Sequence, residues 1–261
     1  MKQTNHTVMK HILFRQLPVW VLASTLLSCS KQTATPLASL NLINAVPGST
    51  PSLVTNFSGT TPIVWYKTAL TLVYGTVATA SQGLSFSSGQ QQLAIYRYPD
   101  TTAHSTPLFN LDLNLQPGNS YSLFLTGTLT APDTLLTTDL LPYYPVSDSS
   151  LGIRLVNLSA GSAPISVNIA GSANGSETGS LSYKGITSFK KYPATAAAVN
   201  QYNFEFRDAA SGVLLASYSL TGINSLAANT RRYRNFTLAF MGLPADPTTR
   251  KIVLIEAYTP N

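Results

Sequence analysis

The chain has 261 residues, of which 44% are hydrophobic, 10% aromatic and 10% charged; ordinary soluble domains carry about a quarter charged residues. Serine and threonine fill the gap, at 29 and 31 positions. This balance excludes a disordered chain and a coiled coil, and a single cysteine excludes a disulfide scaffold.

Residues 1–16 hold Lys2, Lys10 and Arg15 with no acid, and residues 17–28 (LPVWVLASTLLS) are apolar or small. A basic region followed by a short apolar one predicts a secretory signal over 1–28. The apolar run of 12 residues falls short of the roughly 20 needed to span a bilayer. It ends in Leu26-Leu27-Ser28-Cys29, which resembles a bacterial lipobox. The resemblance implies cleavage after Ser28, a diacylglycerol thioether on Cys29 and acylation, for instance by palmitate, of the new amino terminus. Two or three acyl chains anchor stably. Ser30 stands where retention at the inner membrane would place Asp, which predicts the outer membrane. Both the periplasmic face and the cell surface stay open. Residues 29–37 are the predicted tether. Loss of the leader lowers the formal charge from +6 to +3, because three cations leave with it. An envelope location with so modest a charge predicts no nucleic-acid partner.

The rest of the chain repeats itself. Residues 40–51 (LNLINAVPGSTP) align with residues 153–164 (IRLVNLSAGSAP), matching Asn44 to Asn157, Gly48 to Gly161 and Pro51 to Pro164 at an offset of 113. Ser120–Gly127 matches Asn235–Gly242 at an offset of 115, and Gln92–Arg97 (QLAIYR) resembles Tyr202–Arg207 (YNFEFR). Within each copy the apolar period is two, as in Leu111-Leu113-Leu115, Tyr121-Leu123-Leu125, Ile165-Val167-Ile169 and Tyr202-Phe204-Phe206. That alternation predicts strands with one face on a core and one in water. Turn formers such as Val46-Pro47-Gly48 and Gln116-Pro117-Gly118-Asn119 separate them. The expected fold is all-β: two tandem antiparallel β-sandwich domains, Ig-like or transthyretin-like, over 38–146 and 147–261, following a lipoprotein signal peptide. Pro142 and Pro145 mark the linker. Only Ala194–Val199 is friendly to a helix, for one turn or none. Asn44 and Asn157, at strand ends beside turn residues, are expected to bond their own backbone two residues on and start the turn that Gly48 or Gly161 completes. A ligand role is the alternative for them.

Arg154-Leu155-Val156-Asn157 with Ala160-Gly161 and Pro164, and Gly118-Asn119-Ser120-Tyr121-Ser122 through Gly127, resemble motifs of the domain-of-unknown-function 4397 family. The first copy has Asn41 where Arg is usual, and the second has Phe236 for Tyr. The resemblance extends over nearly all of 38–261 and implies a bacterial envelope lipoprotein, commonly from Bacteroidota, without assigned chemistry.

Enzyme motifs are absent from the sequence. The mature chain has one histidine, His104. A triad could be drawn with Ser105 and Asp112, but sequence neighbours rarely meet its geometry and no Gly-x-Ser-x-Gly turn supports it. No His or Cys pair has metal-ligand spacing, no Asp-x-Asp-x-Asp loop occurs and no phosphate-cradling glycine loop is present. The expectation is therefore no enzyme, no cofactor and no metal.

Charge is uneven. Residues 29–150 hold three cations against five acids, and residues 151–261 ten against five. Arg231-Arg232-Tyr233-Arg234 is the sharpest cluster. It fits either an anion grip on an acidic glycan or lipopolysaccharide, or a charged edge that blocks aggregation. Lys190-Lys191-Tyr192 is a weaker version. Tyr96 and Tyr98 are candidates to stack on sugar faces, with Trp65-Tyr66 and Tyr143-Tyr144 beside them in composition. Adjacent tyrosines on a strand point to opposite faces, so one of each pair belongs to the core. Asp133-Thr134-Leu135 and Asp100-Thr101-Thr102 resemble a short O-glycosylation acceptor in turn-rich segments. The expected function is a non-enzymatic binding or adhesion module on a lipid anchor, for glycans or another envelope protein. The alternatives are a structural subunit joined by strand addition and, remotely, a hydrolase.

Overall fold

The structure is a computed structural model that describes residues 36–57, 70–78, 84–100, 102, 104–225 and 231–257. The leader, Cys29, Trp65-Tyr66 and Thr101 lie outside the described residues. The first half holds β1 (Leu37–Asn44), β2 (Leu53–Asn56), β3 (Thr71–Leu72), β4 (Leu84–Ser87), β5 (Gly89–Arg97), β6 (Phe109–Leu115), β7 (Ser120–Gly127) and β8 (Pro132–Thr138). The second holds β9 (Ser150–Asn157), β10 (Ile165–Ile169), β11 (Thr178–Leu181), β12 (Lys190–Pro193), β13 (Gln201–Asp208), β14 (Leu214–Thr221), β15 (Asn235–Leu243) and β16 (Asp246–Ala257). The run 194–200 is a turn without helix.

Among the described residues, each half stacks two four-stranded sheets, and the halves repeat one topology. The first half has sheets β4-β1-β7-β8 and β3-β2-β5-β6; the second has β12-β9-β15-β16 and β11-β10-β13-β14. Most neighbours are antiparallel, but β1 pairs with β7, and β9 with β15, in parallel. The all-β sandwich expected from alternation is therefore present, with one parallel pair per half.

Alternating apolar residues fill two separate cores. Leu40, Leu42, Leu53, Leu93, Ile95, Leu113, Leu123 and Leu125 meet in the first, and Leu155, Ile165, Val167, Phe204, Phe206, Leu220, Leu238 and Phe240 in the second. Each fully buried large side chain stabilises by about 1.5–3 kcal/mol relative to exposure. A third cluster joins Ile43, Ala45 and Phe124 of the first half to Val156, Leu158, Ala239, Met241 and Ile255 of the second. It explains a departure from expectation. Strands β7, β9 and β15 are buried along essentially their whole length rather than on alternate residues, because their second face packs on the other half. Ser122, Thr126 and Thr237 accordingly lie buried, although alternation alone would leave one face of each strand in water. Residues 36–261 form one compact unit.

Candidate functional site

The recurring asparagines build the same turn twice. Asn44 Oδ1 accepts from the Val46 N–H at 3.0 Å, and its Nδ2 donates to Ser49 Oγ and the Leu72 carbonyl, both at 2.9 Å. Asn157 Oδ1 accepts from the Ser159 N–H at 3.0 Å, and its Nδ2 donates to Ser162 Oγ at 3.1 Å and the Leu181 carbonyl at 3.0 Å. Both side chains are fully buried. Gly48 and Gly161 follow with φ of 75° and 74°, the left-handed region that a side chain would strain. These four residues build the turns, and both amide hydrogens of each asparagine are taken up by the fold.

The carbonyls that the asparagines reach belong to a second repeat that the sequence reading missed. Leu72-Val73-Tyr74-Gly75 corresponds to Leu181-Ser182-Tyr183-Lys184, and both segments turn back onto β1 or β9 through the bridges Ile43–Val77 and Val156–Ile186. Each tyrosine then reaches into the other half. Tyr74 Oη donates to the Thr249 carbonyl at 2.6 Å, and the Lys251 ammonium sits 4.9 Å from its ring centre. Burial, helped by the Asp246 charge, pushes the Tyr74 hydroxyl up to about 12. Tyr183 Oη donates to Asp133 Oδ2 at 3.2 Å, and Lys184 Nζ pairs with Asp133 Oδ1 at 2.8 Å. Burial alone would raise the Asp133 carboxyl; hydrogen bonds from Lys184 and the Thr134 N–H outweigh it and hold the group below its ordinary value.

Between these contacts lies a buried ion pair. Arg154 Nη1 meets Asp139 Oδ1 at 2.7 Å, with the two side chains 5% and 0% exposed. Arg154 Nε donates to Thr237 Oγ1 at 2.7 Å and Nη2 to Ser122 Oγ at 3.1 Å, while Ser122 donates on to Asp139 Oδ2 at 2.7 Å. Thr137 Oγ1 also donates to Asp139, and the guanidinium lies 4.8 Å from the Phe189 ring centre. The motif arginine thus joins the halves, where Asn41 stands in the first copy.

The basic cluster does not converge on one point. Arg231 lies over the Phe236 ring at 5.4 Å, Arg232 Nε donates to the Ala194 carbonyl at 2.7 Å, and Arg234 pairs with Glu256 at 2.7 Å. Tyr233, at φ 65°, donates its hydroxyl to the Val146 carbonyl at 3.0 Å. These contacts tie the start of β15 to its surroundings. Lys190 pairs with Glu177 and Lys191 with Asp148, and the Tyr192 hydroxyl bonds Glu177. Burial first, and Glu177 second, push that phenol well above its ordinary value.

Tyr96 is 1% exposed, so its ring offers no face to a sugar. Tyr98 is half-buried, beyond the end of β5, where its N–H donates to the Ser52 carbonyl. Strands β1, β7, β9 and β15 all begin at one end of the sandwiches, since Ser122 meets Arg154 and Thr126 Oγ1 donates to the Leu158 carbonyl. Tyr98 lies at the opposite end from Arg231–Arg234, so the two candidates share no site. Of the linker pair, Tyr144 is buried and Tyr143 exposed, as the one-in-core argument expects. Ser105 Oγ donates to Asp100 Oδ1 at 2.5 Å, within its own loop. Thr134 lies in β8, paired with Leu125, rather than in a turn. Among the described residues no group of three or more His, Cys, Asp or Glu side chains is placed to hold a metal ion.

Unfilled hydrogen-bonding capacity gathers on one sheet face of the second half, and occurs singly at Tyr96 Oη and Asn235 Oδ1. On the face of β10 and β13 opposite the core, Asn168 stands across from Glu205 and Ser166 across from Arg207. Glu205 Oε2 accepts from Asn168 Nδ2 and Arg207 Nη2, both at 2.8 Å. The Arg207 bond, then the Asn168 bond, hold that carboxyl below its ordinary value. Arg207 Nη1 donates to the Gly212 carbonyl. Asn168 Oδ1, Asn203 Oδ1 and Arg207 Nε are buried without a partner in the protein. The equivalent first-half face carries Val54, Ala94 and Tyr96, all buried.

The fold and these contacts define an all-β protein of two repeated sandwiches, each closed by an asparagine turn and joined through a buried Arg–Asp pair. The family model described as a domain of unknown function (DUF4397) matches residues 38–168, half of the chain, and the chain belongs to that family. The match runs through the first half and ends in β10, short of the extent that the motif resemblance implied. Among curated proteins, none matches the chain. Among solved structures, the chain is similar to CBMbc, of family CBM26, from Eubacterium rectale Amy13K in complex with maltoheptaose, at 12% identity and a TM-score of 0.26, over 85% of this chain and 98% of that one.

Proposed function

We propose that this protein is a lipid-anchored outer-membrane protein that works by binding rather than catalysis, and that the β10–β13 face of its second half meets a glycan around the half-buried Asn203 and Arg207, with Asn168 buried behind them. One observation carries the ligand class: two acceptors and one donor are buried in a single sheet face without partners. A buried polar atom left unpaired costs about 1–3 kcal/mol, which a ligand with complementary groups would recover. Hydroxyl groups both donate and accept, so a hydroxyl-rich ligand suits this mixture, and Glu205 holds two of the three side chains in place. The anchor reading is supported by the leader and by Leu26-Leu27-Ser28-Cys29. The non-catalytic reading is supported by the single histidine left after the leader and the missing nucleophile turn.

The test is a glycan array with the full chain. Wild-type protein is expected to bind, and Asn203→Ala with Arg207→Met to weaken binding by about tenfold or more, the equivalent of about 1.4 kcal/mol. A blank array with folded protein removes the glycan. Labelled palmitate that still enters a Cys29→Ala variant removes the anchor. A second reading, assembly by strand addition, is supported by β14, which ends its sheet with Val213 and Leu214 exposed at its start. Native-gel ladders that disappear in Ser217→Pro, which blocks an edge, would favour it.

A further inference from the structure

Large exposed apolar side chains are concentrated at one end of the fold. Leu140, Tyr143 and Val146 are 84%, 82% and 82% exposed, and Leu37, Val199 and Tyr233 are exposed as well. The register places them together. Leu37 lies beside Gly118 at the start of β1, and the Asp139 N–H donates to the Ser120 carbonyl, so the β1 and β8 ends lie two strand spacings apart, about 10 Å. Asn235 Nδ2 donates to the Pro142 carbonyl and Tyr233 Oη to the Val146 carbonyl, bringing the start of β15 to the same segment. Val199 follows β12, whose last residue pairs with Ser150 at the start of β9. Four cations, Lys191, Arg231, Arg232 and Arg234, share this end with the half-buried acids Asp148 and Glu256.

We infer that this end is a membrane-contact surface, with the linker tip Leu140–Val146 seated in the headgroup region of the bilayer that carries the anchor. The inference rests on the anchor at Cys29. Six residues lie between Cys29 and Pro36, seven Cα steps or at most about 25 Å of extended chain, and Pro36 precedes β1 at this end of the sandwiches. An anchored chain of that length holds this end at the lipid. The side chains there suit it: aliphatic groups enter the acyl boundary, tyrosines favour the interface, and an excess of cations is drawn to anionic headgroups. Pro142 and Pro145 stiffen the tip, and the bonds to Asn235 and Tyr233 hold it, so little ordering entropy opposes insertion. A second copy seated on the same surface is the competing occupant.

The experiment uses the full chain with Val146→Cys, and separately Val213→Cys at the opposite end, each labelled with an environment-sensitive fluorophore. Cys29 is the sole native cysteine, and its sulfur is blocked once it carries the diacylglycerol thioether. Protein is reconstituted into phosphatidylethanolamine/phosphatidylglycerol vesicles containing nitroxide lipid. The label at 146 is expected to shift to the blue and be quenched about twofold, with little change at 213, as for a group 5–10 Å into the interface. Equal quenching at both positions, or none at 146 in acylated protein, overturns the inference and leaves the anchor standing. A blue shift without lipid quenching that grows with protein concentration assigns the surface to a second copy and also overturns it. Mass spectrometry reads the acyl chains separately. If Cys29 carries none, the anchor reading falls, and the same comparison with the chain tethered through amino-terminal histidines to a nickel-chelating lipid decides the surface.

Discussion

A fully buried asparagine with three hydrogen bonds is sensitive to changes that an exposed one absorbs. Asn157 offers one acceptor to the Ser159 N–H and two donor hydrogens to Ser162 and the Leu181 carbonyl. Asn157→Ala strips partners from buried groups and is expected to destabilise by about 1–3 kcal/mol. Asn157→Asp keeps the acceptor but sets a carboxylate against two oxygens, and is expected to cost more than the alanine. Urea midpoints at constant m-value check both, and an aspartate variant as stable as wild type would refute the assigned donors. Arg154 and Asp139 behave as a pair. Arg154→Met leaves the Asp139 carboxylate buried beside Ser122 and Thr137, at an expected cost of about 3–5 kcal/mol. Arg154→Met combined with Asp139→Leu is expected to recover most of that, since two apolar groups leave no uncompensated charge. A double variant whose loss equals the sum of the singles would contradict the ion pair as the cause.

The turn segments after β3 and β11 carry the contacts between halves, and the charges there are exchanged. On one side the strand supplies Lys251 and the turn supplies Gly75; on the other the strand supplies Asp133 and the turn Lys184. A side chain at Gly75 would start 2.9 Å from Lys251 Cδ, so a lysine there would meet both bulk and like charge. Asp133→Asn removes the partner of Lys184. Because the folded carboxyl sits below its ordinary value, its contribution is present above the unfolded pKa near 4 and fades as pH falls through the folded one. The pair is partly exposed, so the expected difference from wild type is about 0.5 kcal/mol at pH 7, shrinking below about pH 4. Thermal midpoints from pH 7 to pH 2 check the trend. The same elements explain what the sequence could say. The asparagine turns were legible because Asn, Gly and Pro keep their offset through both copies, and the cores because Leu and Phe alternate. Leu-x-Tyr escaped because three residues are little signal and their partners are 50 or more positions away. Tyr96, offered to a sugar on its aromatic character, is buried on the face of its sheet opposite the core. Matching QLAIYR to YNFEFR sets Tyr96 against Phe206, whereas the ladders set Ile95 on the core beside Phe206's position and Tyr96 on the face of Arg207. In a strand, a slip of one residue changes the face.

At the scale of the whole molecule, the decisive feature is that each half gives one sheet to its own core and the back of that sheet to its neighbour. Strands β7, β9 and β15 are buried on both faces, so separating the halves exposes Phe124, Val156, Leu158, Ala239 and Met241 and strands the Arg154–Asp139 pair in water-accessible halves. Burial of this kind fixes the partly unsatisfied face of β10 and β13 relative to the end that holds Leu140–Val146, because both belong to one compact unit. The halves should then unfold together. Scanning calorimetry of the full chain is expected to give one transition for residues 36–261, with calorimetric and van't Hoff enthalpies in a ratio near 1. Phe124→Asp buries an unpaired charge between the halves and touches neither sandwich core, so it should split the transition in two, with the second half retaining its own midpoint to within a few degrees. Two transitions in wild-type protein would mean that the third cluster is too weak to couple the sandwiches. A single lowered transition in Phe124→Asp would mean that neither half stands without the other, and that the repeat folds only as a pair.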